Sequence, residues 1–255
     1  MKKHLRNYGI GVLAAVLCFS LAAFAGAEDA PKPDPSGGNT GGIADIVGAS
    51  AGAPTADEIK AMGASEPLAA KVADVVGKNR IAINIVWTLV CGFLVMFMQA
   101  GFAMAETGLT RAKNAGHTMA MNFMVYALGM LGYWLCGFAL QMGGAGPFAT
   151  FGGGGVMDAE FTLTLFGKEF GLFGTKGFFL SGDSYDAAVF TMFLFQMVFM
   201  DTAVTIPTGA MAERWKWSSF LVYAFFMSMF VYPVFGNWVW GGGWLGKLGV
   251  LDFAG

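Results

Sequence analysis

The sequence predicts an all-α polytopic membrane protein, and two observations support this fold class. Of its 255 residues, 56% are hydrophobic and only 13% are charged, whereas a typical soluble domain carries about 25% charged residues. Four apolar segments also reach the roughly 20 residues that a helix needs to cross a bilayer. A backbone in hydrocarbon must satisfy its own hydrogen bonds, so these segments are expected to be helices. They cover residues 81–104, 118–142, 187–212 and 217–240.

The first 27 residues have the layout of a signal peptide. Lys2, Lys3 and Arg6 precede an apolar stretch at 10–24, and small residues at 23–27 suit cleavage. An uncleaved first membrane helix is the alternative interpretation. The apolar stretch is short for a membrane span, which favours the signal peptide.

Residues 28–80 are predicted to form an exported N-terminal segment. Residues 28–45 are rich in Pro, Gly, Asp and Asn, a composition typical of a flexible tail. Thr55 followed by Glu58 has the spacing of a capping box. A short surface helix is therefore expected ahead of a membrane domain at 81–255.

The first and third connections between the apolar segments are short and basic. Lys and Arg concentrate in cytoplasmic loops, so both connections are predicted to be cytoplasmic, with the N-terminus outside the inner (plasma) membrane. The long, Gly-rich second connection, residues 143–186, is then external. The basic residues that set this orientation are Arg111 and Lys113 in the first connection and Arg214 and Lys216 in the third.

Charge and cysteine usage disfavour several other functions. The formal net charge is -2, and no basic run follows the extreme N-terminus, so nucleic acid is not an expected partner. The three cysteines form no CxxC pair, which argues against a disulfide framework or a zinc site. No nucleophile–base pair or metal-ligand spacing indicates an enzyme or a cofactor, and His117 alone is too little.

Polar residues inside the apolar segments are candidates for chemistry. Gln99, Asn122, Gln196 and Asp201 all lie there, where a central Asp costs about 2.5–3.5 kcal/mol. Asp201 therefore requires a cavity or a partner, and Gln99, Asn122 or a neighbouring subunit are the expected partners. A helix–helix hydrogen bond and a functional role both remain open for Asp201.

Aromatic residues provide a second set of candidates. Phe195 and Phe199 are four residues apart and share one helix face, while Asp201 lies nearly opposite Phe199. Trp240 precedes three glycines at an external helix end, where an aromatic ring can attract a cation by about 0.5–2 kcal/mol. Simple packing and interfacial anchoring are the alternatives for these aromatics. Asp252 precedes a further expected helix, which it would cap unless it holds a cation.

Three long strings resemble the Amt/Mep/Rh ammonium transporter family. They occur in the same order as in that family, within residues 81–255. The strings are MQAGFAMAETGLTRAKNAGHTMAMN at 98–122, FQMVFMDTAVTIPTGAMAERWKWSSFLVYAFF at 195–226 and YPVFGNWVWGGGWLGKLGVLDFAG at 232–255.

This resemblance implies roles for individual residues. Phe199 would be half of a stacked aromatic pore gate, and Phe195 would border an outer substrate-binding site. Trp240 would form the cation–π wall of that site. Asp252 falls on a D-x-A-G motif needed for transport. Asp201 departs from the family pattern, and its role and that of Gln99 stay undetermined.

The resemblance also implies a function and an assembly. The expected function is transport of ammonium or ammonia in nitrogen metabolism, by a homotrimer with a possible PII-type regulatory protein on its cytoplasmic side. No cofactor is implied. The chain would supply the first inverted repeat only, with four complete transmembrane helices and the start of a fifth, because the family's pore histidines fall beyond Gly255. An ammonium sensor domain coupled to a signalling module is the alternative.

Overall fold

A computed structural model describes residues 33–38, 40–46, 54–146, 148–152 and 157–249. The predicted signal peptide and Asp252 lie outside these described residues. Within them, four helical segments are long and apolar enough to cross a membrane, which confirms the predicted fold class. These segments are Pro67–Leu109, Ala112–Met142, Ala187–Ala210 and Trp217–Lys247.

The first two helices are α1, Ala56–Ser65, and α2, Pro67–Leu109. The predicted capping box begins α1: the Glu58 amide donates to the Thr55 hydroxyl at 3.3 Å, and the Thr55 amide donates to the Glu58 carboxylate at 2.7 Å. At about 1.5 Å per residue, the 43 residues of α2 extend about 65 Å, roughly twice the hydrocarbon thickness. The domain boundary expected at residue 80 therefore lies inside one continuous helix.

The segment before α1 is packed against the bundle over its described residues. The Asp34 amide donates to Asp186 Oδ2 at 2.8 Å, and the Ala187 amide donates to the Asp34 carbonyl at 3.1 Å. Arg80 Nη1 donates to the Asp45 carbonyl at 2.8 Å. The expectation of a flexible tail is wrong for these residues, because their backbone groups bind the start of Ala187–Ala210 and the middle of α2.

Two of the spanning helices each contain one π-helical turn, and the two turns lie side by side. Cys136 Sγ in the first turn donates to the Met229 carbonyl in the second at 3.7 Å. Gly132 and Gly137 permit this approach, because a Cβ atom at either position would clash with Ser228. The helix α3 comprises Ala115–Gly132, the π turn Tyr133–Gly137 and Phe138–Met142; α5 comprises Trp217–Phe226, the π turn Met227–Val231 and Tyr232–Val239.

Between the two lies α4, Ala187–Ala210, and after them the short α6, Trp244–Lys247. Asp186 caps α4, because its Oδ1 accepts from the Ala188 amide at 2.9 Å. Large side chains from α3, α4 and α5 form a closely packed core with no exposed surface. These side chains include Met121, Val125, Tyr133, Phe138, Val189, Met200, Val204 and Phe220.

The second connection contains a β-hairpin that the sequence reasoning did not predict. Strand β1, Glu160–Leu165, pairs antiparallel with β2, Lys168–Gly174. The two-residue turn between them has positive φ at both Phe166 (54°) and Gly167 (74°). Positive φ at both positions is the signature of a type I′ hairpin turn, whose twist matches that of the strands.

The first and third connections lie at one end of the bundle, and the second connection lies at the other end. At one end, Arg111 in the first connection forms an ion pair with Glu213 in the third, at 2.7 Å. At the other end, Asn84 at the start of the membrane part of α2 donates to the Thr150 carbonyl in the second connection at 3.0 Å. This arrangement is the alternation that four consecutive membrane crossings require.

Candidate functional site

The two phenylalanines predicted to line a pathway are in contact on α4. The rings of Phe195 and Phe199 meet edge to face, with centroids 5.1 Å apart. Phe199 is 38% exposed, whereas Asp201 on the other side of the helix is 2% exposed. The predicted opposition of Phe199 and Asp201 is therefore confirmed. Gly92 of α2 packs against this part of α4, since a Cβ atom there would lie 3.3 Å from Leu194 Cδ2 and 3.9 Å from the Phe195 ring.

Trp240 ends α5 in a partly open aromatic group. Its ring meets Phe235 edge to face at 5.9 Å and Tyr232 at 6.4 Å. Its amide donates to the Gly236 carbonyl at 3.0 Å, which fixes the backbone at the helix end. The indole is 40% exposed, so one part of the ring remains available to a ligand.

The three glycines after Trp240 are required by close packing. A Cβ atom at Gly241 would clash with the Gln141 carbonyl, and one at Gly243 would lie 2.6 Å from Asn237 Oδ1. Gly242 has a φ of +96°, which L side chains rarely adopt. The backbone of the three glycines is therefore closely packed against the rest of the bundle and is not a flexible linker.

Gln141 and Asn237, which sequence reasoning did not select, hold the glycine segment in place. Both side chains are fully buried. Asn237 Nδ2 donates to the Gln141 carbonyl at 3.1 Å, and the Gly243 amide donates to the Asn237 carbonyl at 2.8 Å. An amide inside an apolar segment was the available signal for Gln141, the same signal that selected Gln99.

Gln141 connects the Trp240 loop, which contacts its main-chain carbonyl through Asn237, to the phenylalanine segment, which contacts its side chain. Its Oε1 accepts from the Tyr133 hydroxyl at 2.7 Å, and its Nε2 donates to Gln196 Oε1 at 2.9 Å. Gln196 directly follows Phe195. Among the described residues no ring contact joins Phe195 to Trp240. A buried hydrogen-bond chain, not aromatic stacking, therefore relates the two groups.

Gln99 connects three helices from inside the span. Its Nε2 donates to the Asn122 carbonyl at 2.9 Å and to Thr205 Oγ1 at 2.8 Å, while the Thr205 hydroxyl lies 3.0 Å from Gln99 Oε1. This arrangement joins α2, α3 and α4. A network with most of its members paired rigidifies such a junction.

A carboxylate lies on the same helices, towards the end that carries Arg111. Glu106 accepts from Asn122 Nδ2 at 2.8 Å and from the Thr208 hydroxyl at 2.9 and 2.8 Å. Asn122 therefore touches both Gln99 and Glu106. The result is a column of polar side chains between α2, α3 and α4.

Asp201 does not join this column. Its Oδ1 is buried without a hydrogen-bond partner among the described residues. The expected partners, Gln99 and Asn122, bind each other instead. That pairing prediction is wrong because Thr205, one helical turn along α4, takes the position facing Gln99.

The end of the bundle that carries the first and third connections has a strong ion pair. Arg111 donates to Glu213 from its backbone amide at 2.7 Å and from Nε at 2.8 Å. Together with a hydrogen bond from Asn114, these contacts lower the pKa of the Glu213 carboxyl to about 2. The same pairing raises the pKa of the Arg111 guanidinium. Glu213 has a φ of +65°, in the left-handed region that non-glycine residues seldom adopt.

The geometry defines a polytopic helical membrane protein with a partly exposed tryptophan and a close-packed glycine segment at the end of α5, and a contacting phenylalanine pair on α4. The chain belongs to the Ammonium Transporter Family, whose family model matches residues 86–255.

Named relatives support this membership. The chain is 43% identical over 185 residues to ammonium transporter Amt2 from Archaeoglobus fulgidus, covering 69% of this chain and 35% of that protein. It is 34% identical over 183 residues to ammonium transporter 1 member 3 from Solanum lycopersicum, covering 68% and 35%. A solved structure described as "Sensor Amt Protein" is similar with a TM-score of 0.56 and 31% identity, covering 69% of this chain and 40% of that one. The chain thus spans about a third of the length of these transporters.

Proposed function

We propose that this protein serves the transport of ammonium or ammonia across the inner (plasma) membrane. Family membership and the transporter names of its relatives support this proposal. The observation that carries it is the buried Gln141 link, which holds the Trp240 loop in a fixed relation to the Phe195–Phe199 segment. A site for a small cation requires such pre-organised parts.

Ammonium is a hydrated cation that bare hydrocarbon excludes, so the outer mouth must replace part of its water. The exposed face of Trp240 offers about 0.5–2 kcal/mol of cation–π attraction. Phe195 borders this site, and the adjoining Phe199 forms an apolar gate that resists water and hydrated ions. Asp252, outside the described residues, supports the outer mouth. Transport in this scheme requires neither a cofactor nor catalysis.

The partners and orientation follow the same proposal. The Arg111–Glu213 end faces the cytoplasm, where its basic residues obey the positive-inside tendency. A PII-type regulatory protein would bind on that side. The N-terminus and the β-hairpin lie outside, and three copies assemble as a homotrimer in the lipid bilayer.

Uptake of radiolabelled methylammonium tests the proposal. The protein is produced from the complete reading frame of its gene in cells that lack ammonium transporters. We expect Trp240→Leu and Phe199→Leu to reduce uptake at equal membrane levels. Trp87→Leu and Phe123→Leu are matched controls, since these aromatics are 69% and 72% exposed on other helices. Equal uptake by all four variants would contradict the assigned roles.

A sensor function is the second candidate, and the similarity to "Sensor Amt Protein" favours it. In that case the same outer site would bind ammonium without net uptake. The two functions are separated by measuring methylammonium uptake and ammonium-induced tryptophan fluorescence changes on one preparation. A Trp240-dependent fluorescence change without uptake supports the sensor, whereas uptake supports the transporter.

A further inference from the structure

Asp201 is a carboxyl group buried in the membrane part of the bundle without a partner. It lies in the second half of α4 and is 2% exposed. Its Oδ1 has no hydrogen-bond partner, and no ion pair among the described residues includes this side chain. An ionised carboxyl in such a place needs an opposite charge or several donors, and without them it takes up a proton and becomes neutral. The surroundings of Asp201 therefore favour the neutral acid.

The titratable groups of the neighbouring helices do not supply the missing partner. On α3, Tyr126 is close enough for Asp201 to act on it electrostatically, but its hydroxyl donates to Met96 Sδ at 2.9 Å. On α5, Tyr223 reaches α4, but its hydroxyl donates to a backbone carbonyl at 3.1 Å. The residues of α2 at this level, Met96 and Gln99, carry no charge.

Asp201 shares one face of α4 with two threonines of the polar column. Thr205 and Thr208 follow it by four and seven residues, a spacing that a helix places on one face. Thr205 binds Gln99, and Thr208 binds the Glu106 carboxylate. From Asp201 towards the end of the bundle with the first and third connections, this face is therefore lined by polar groups.

Towards the opposite end of the bundle the same three helices present apolar groups to one another. On α4, Val198 precedes Asp201 by three residues and is 1% exposed. Gly129 of α3 and Gly92 of α2 are buried, and a Cβ atom at Gly92 would meet Leu194 at 3.3 Å. Protons cross a membrane protein along polar side chains and water. The polar column is therefore the better route to Asp201.

We propose that Asp201 is a proton-binding site that exchanges its proton with solvent along the polar column, at the end of the bundle with the first and third connections. The carboxylate takes the proton from a hydronium ion, which leaves a neutral carboxylic acid and a water molecule, and releases it by the same route. Asp201 lies on the other side of α4 from Phe199. The inference is therefore separate from the ammonium site and holds whether the protein transports ammonium or senses it.

Infrared spectroscopy of the protein produced from its complete reading frame tests the proton on Asp201. A neutral carboxyl group gives a carbonyl stretching band that a carboxylate lacks, and exposed acids are ionised at neutral pH. We expect this band in the unsubstituted protein and its loss in Asp201→Asn, which keeps the size of the side chain. The amide bands of the same spectra show whether each variant retains its helices.

Asp186→Asn is the matched control for this measurement. Asp186 is also 2% exposed, but its carboxylate accepts from the Asp34 and Ala188 amides, so it is expected to be ionised. Its substitution should leave the band unchanged. A band that persists in Asp201→Asn, or no band in the unsubstituted protein, would overturn the proposal, because Asp201 would then be ionised.

Deuterium exchange tests the direction of access. On transfer to D2O the band shifts as Asp201 exchanges its proton for a deuteron. We expect Thr205→Val, which removes a hydroxyl on the polar side of Asp201, to slow this shift several-fold. Thr191→Val is the matched control, because Thr191 is 3% exposed on the other side of Asp201 along α4 and its hydroxyl binds the Ala187 carbonyl at 2.8 Å. Any result in which Thr205→Val does not exchange more slowly than Thr191→Val would overturn the route.

Discussion

Single residues fix the loop after Trp240 through contacts that a sequence pattern does not display. The string Trp240–Gly243 predicts an aromatic at a helix end followed by permissive backbone. In the structure Gln141 and Asn237 leave no space for a side chain at Gly241 and Gly243, and Gly242 has a positive φ. The interpretation of Phe195 and Phe199 as one face needed only helix geometry, so it could be made from spacing alone. The Gln141 link needed the packing of three helices and could not.

Gly241→Ala is expected to destabilise the loop after Trp240. The added methyl group would overlap the Gln141 carbonyl, and overpacking of this kind costs about 1–3 kcal/mol. The melting temperature in detergent should fall, and methylammonium uptake should fall with it. Gly101→Ala is the control, because a Cβ atom at Gly101 meets nothing within 4 Å. Equal melting temperatures for the two variants would show that the loop can shift to accept the methyl group.

Asp201 and Gln99 are expected to respond in opposite directions when their polarity is removed. A buried polar group without a partner costs about 1–3 kcal/mol, so Asp201→Val should raise the melting temperature. Gln99→Met should lower it, because Asn122 and Thr205 lose their shared partner. If Asp201→Val instead lowers stability, a bound ligand or a neighbouring subunit satisfies its carboxyl. A stability gain together with lost uptake would assign Asp201 to function.

At the scale of elements, the apolar segments predicted the spanning helices but not their extent or their interruptions. The apolar segment begins near residue 81, yet α2 already begins at Pro67, because Pro suits the first position of a helix and Lys71 and Lys78 are good helix formers in water. The π turns of α3 and α5 depend on their mutual packing, which composition does not encode. The hairpin had a local signal that was missed: Phe161 to Leu165 alternates apolar residues with Thr, and a glycine follows at 167.

The Arg111–Glu213 ion pair between the first and third connections is expected to weaken in acid. The pKa of Glu213 is lowered from an ordinary value of 4.5 to about 2. The folded state therefore binds fewer protons, and the stabilisation present above pH 4.5 is lost as pH falls towards 2. The melting temperature, followed by tryptophan fluorescence, should fall between pH 4.5 and 2 in the unsubstituted protein, and Glu213→Gln should lack this fall. An unchanged acid response in Glu213→Gln would assign the decrease to other carboxyls.

At the scale of the whole molecule, the alternation of the connections could be predicted from the four apolar segments, whereas the side of the membrane on which each connection lies stays a prediction from charge. Lys78 and Arg80 flank the predicted external end of the first span and oppose the positive-inside tendency. The structure pairs Lys78 with Asp74 at 2.8 Å and directs Arg80 onto the Asp45 carbonyl. Arg111 in the first connection is likewise paired, with Glu213 at 2.7 Å, so charge counting leaves the orientation a prediction that an experiment has to decide.

Cysteine labelling from one side of the membrane tests this orientation. A membrane-impermeant maleimide is applied to spheroplasts that carry Lys113→Cys, in the first connection, or Lys168→Cys, in the hairpin. Both positions are exposed to solvent. We expect Lys168→Cys to react in intact spheroplasts and Lys113→Cys only after permeabilisation, because four crossings put these positions on opposite sides. The reverse pattern would invert the molecule, moving the Trp240 loop to the cytoplasm and removing it as an outer cation site. Labelling of both residues in intact spheroplasts would contradict the crossing of the membrane between them.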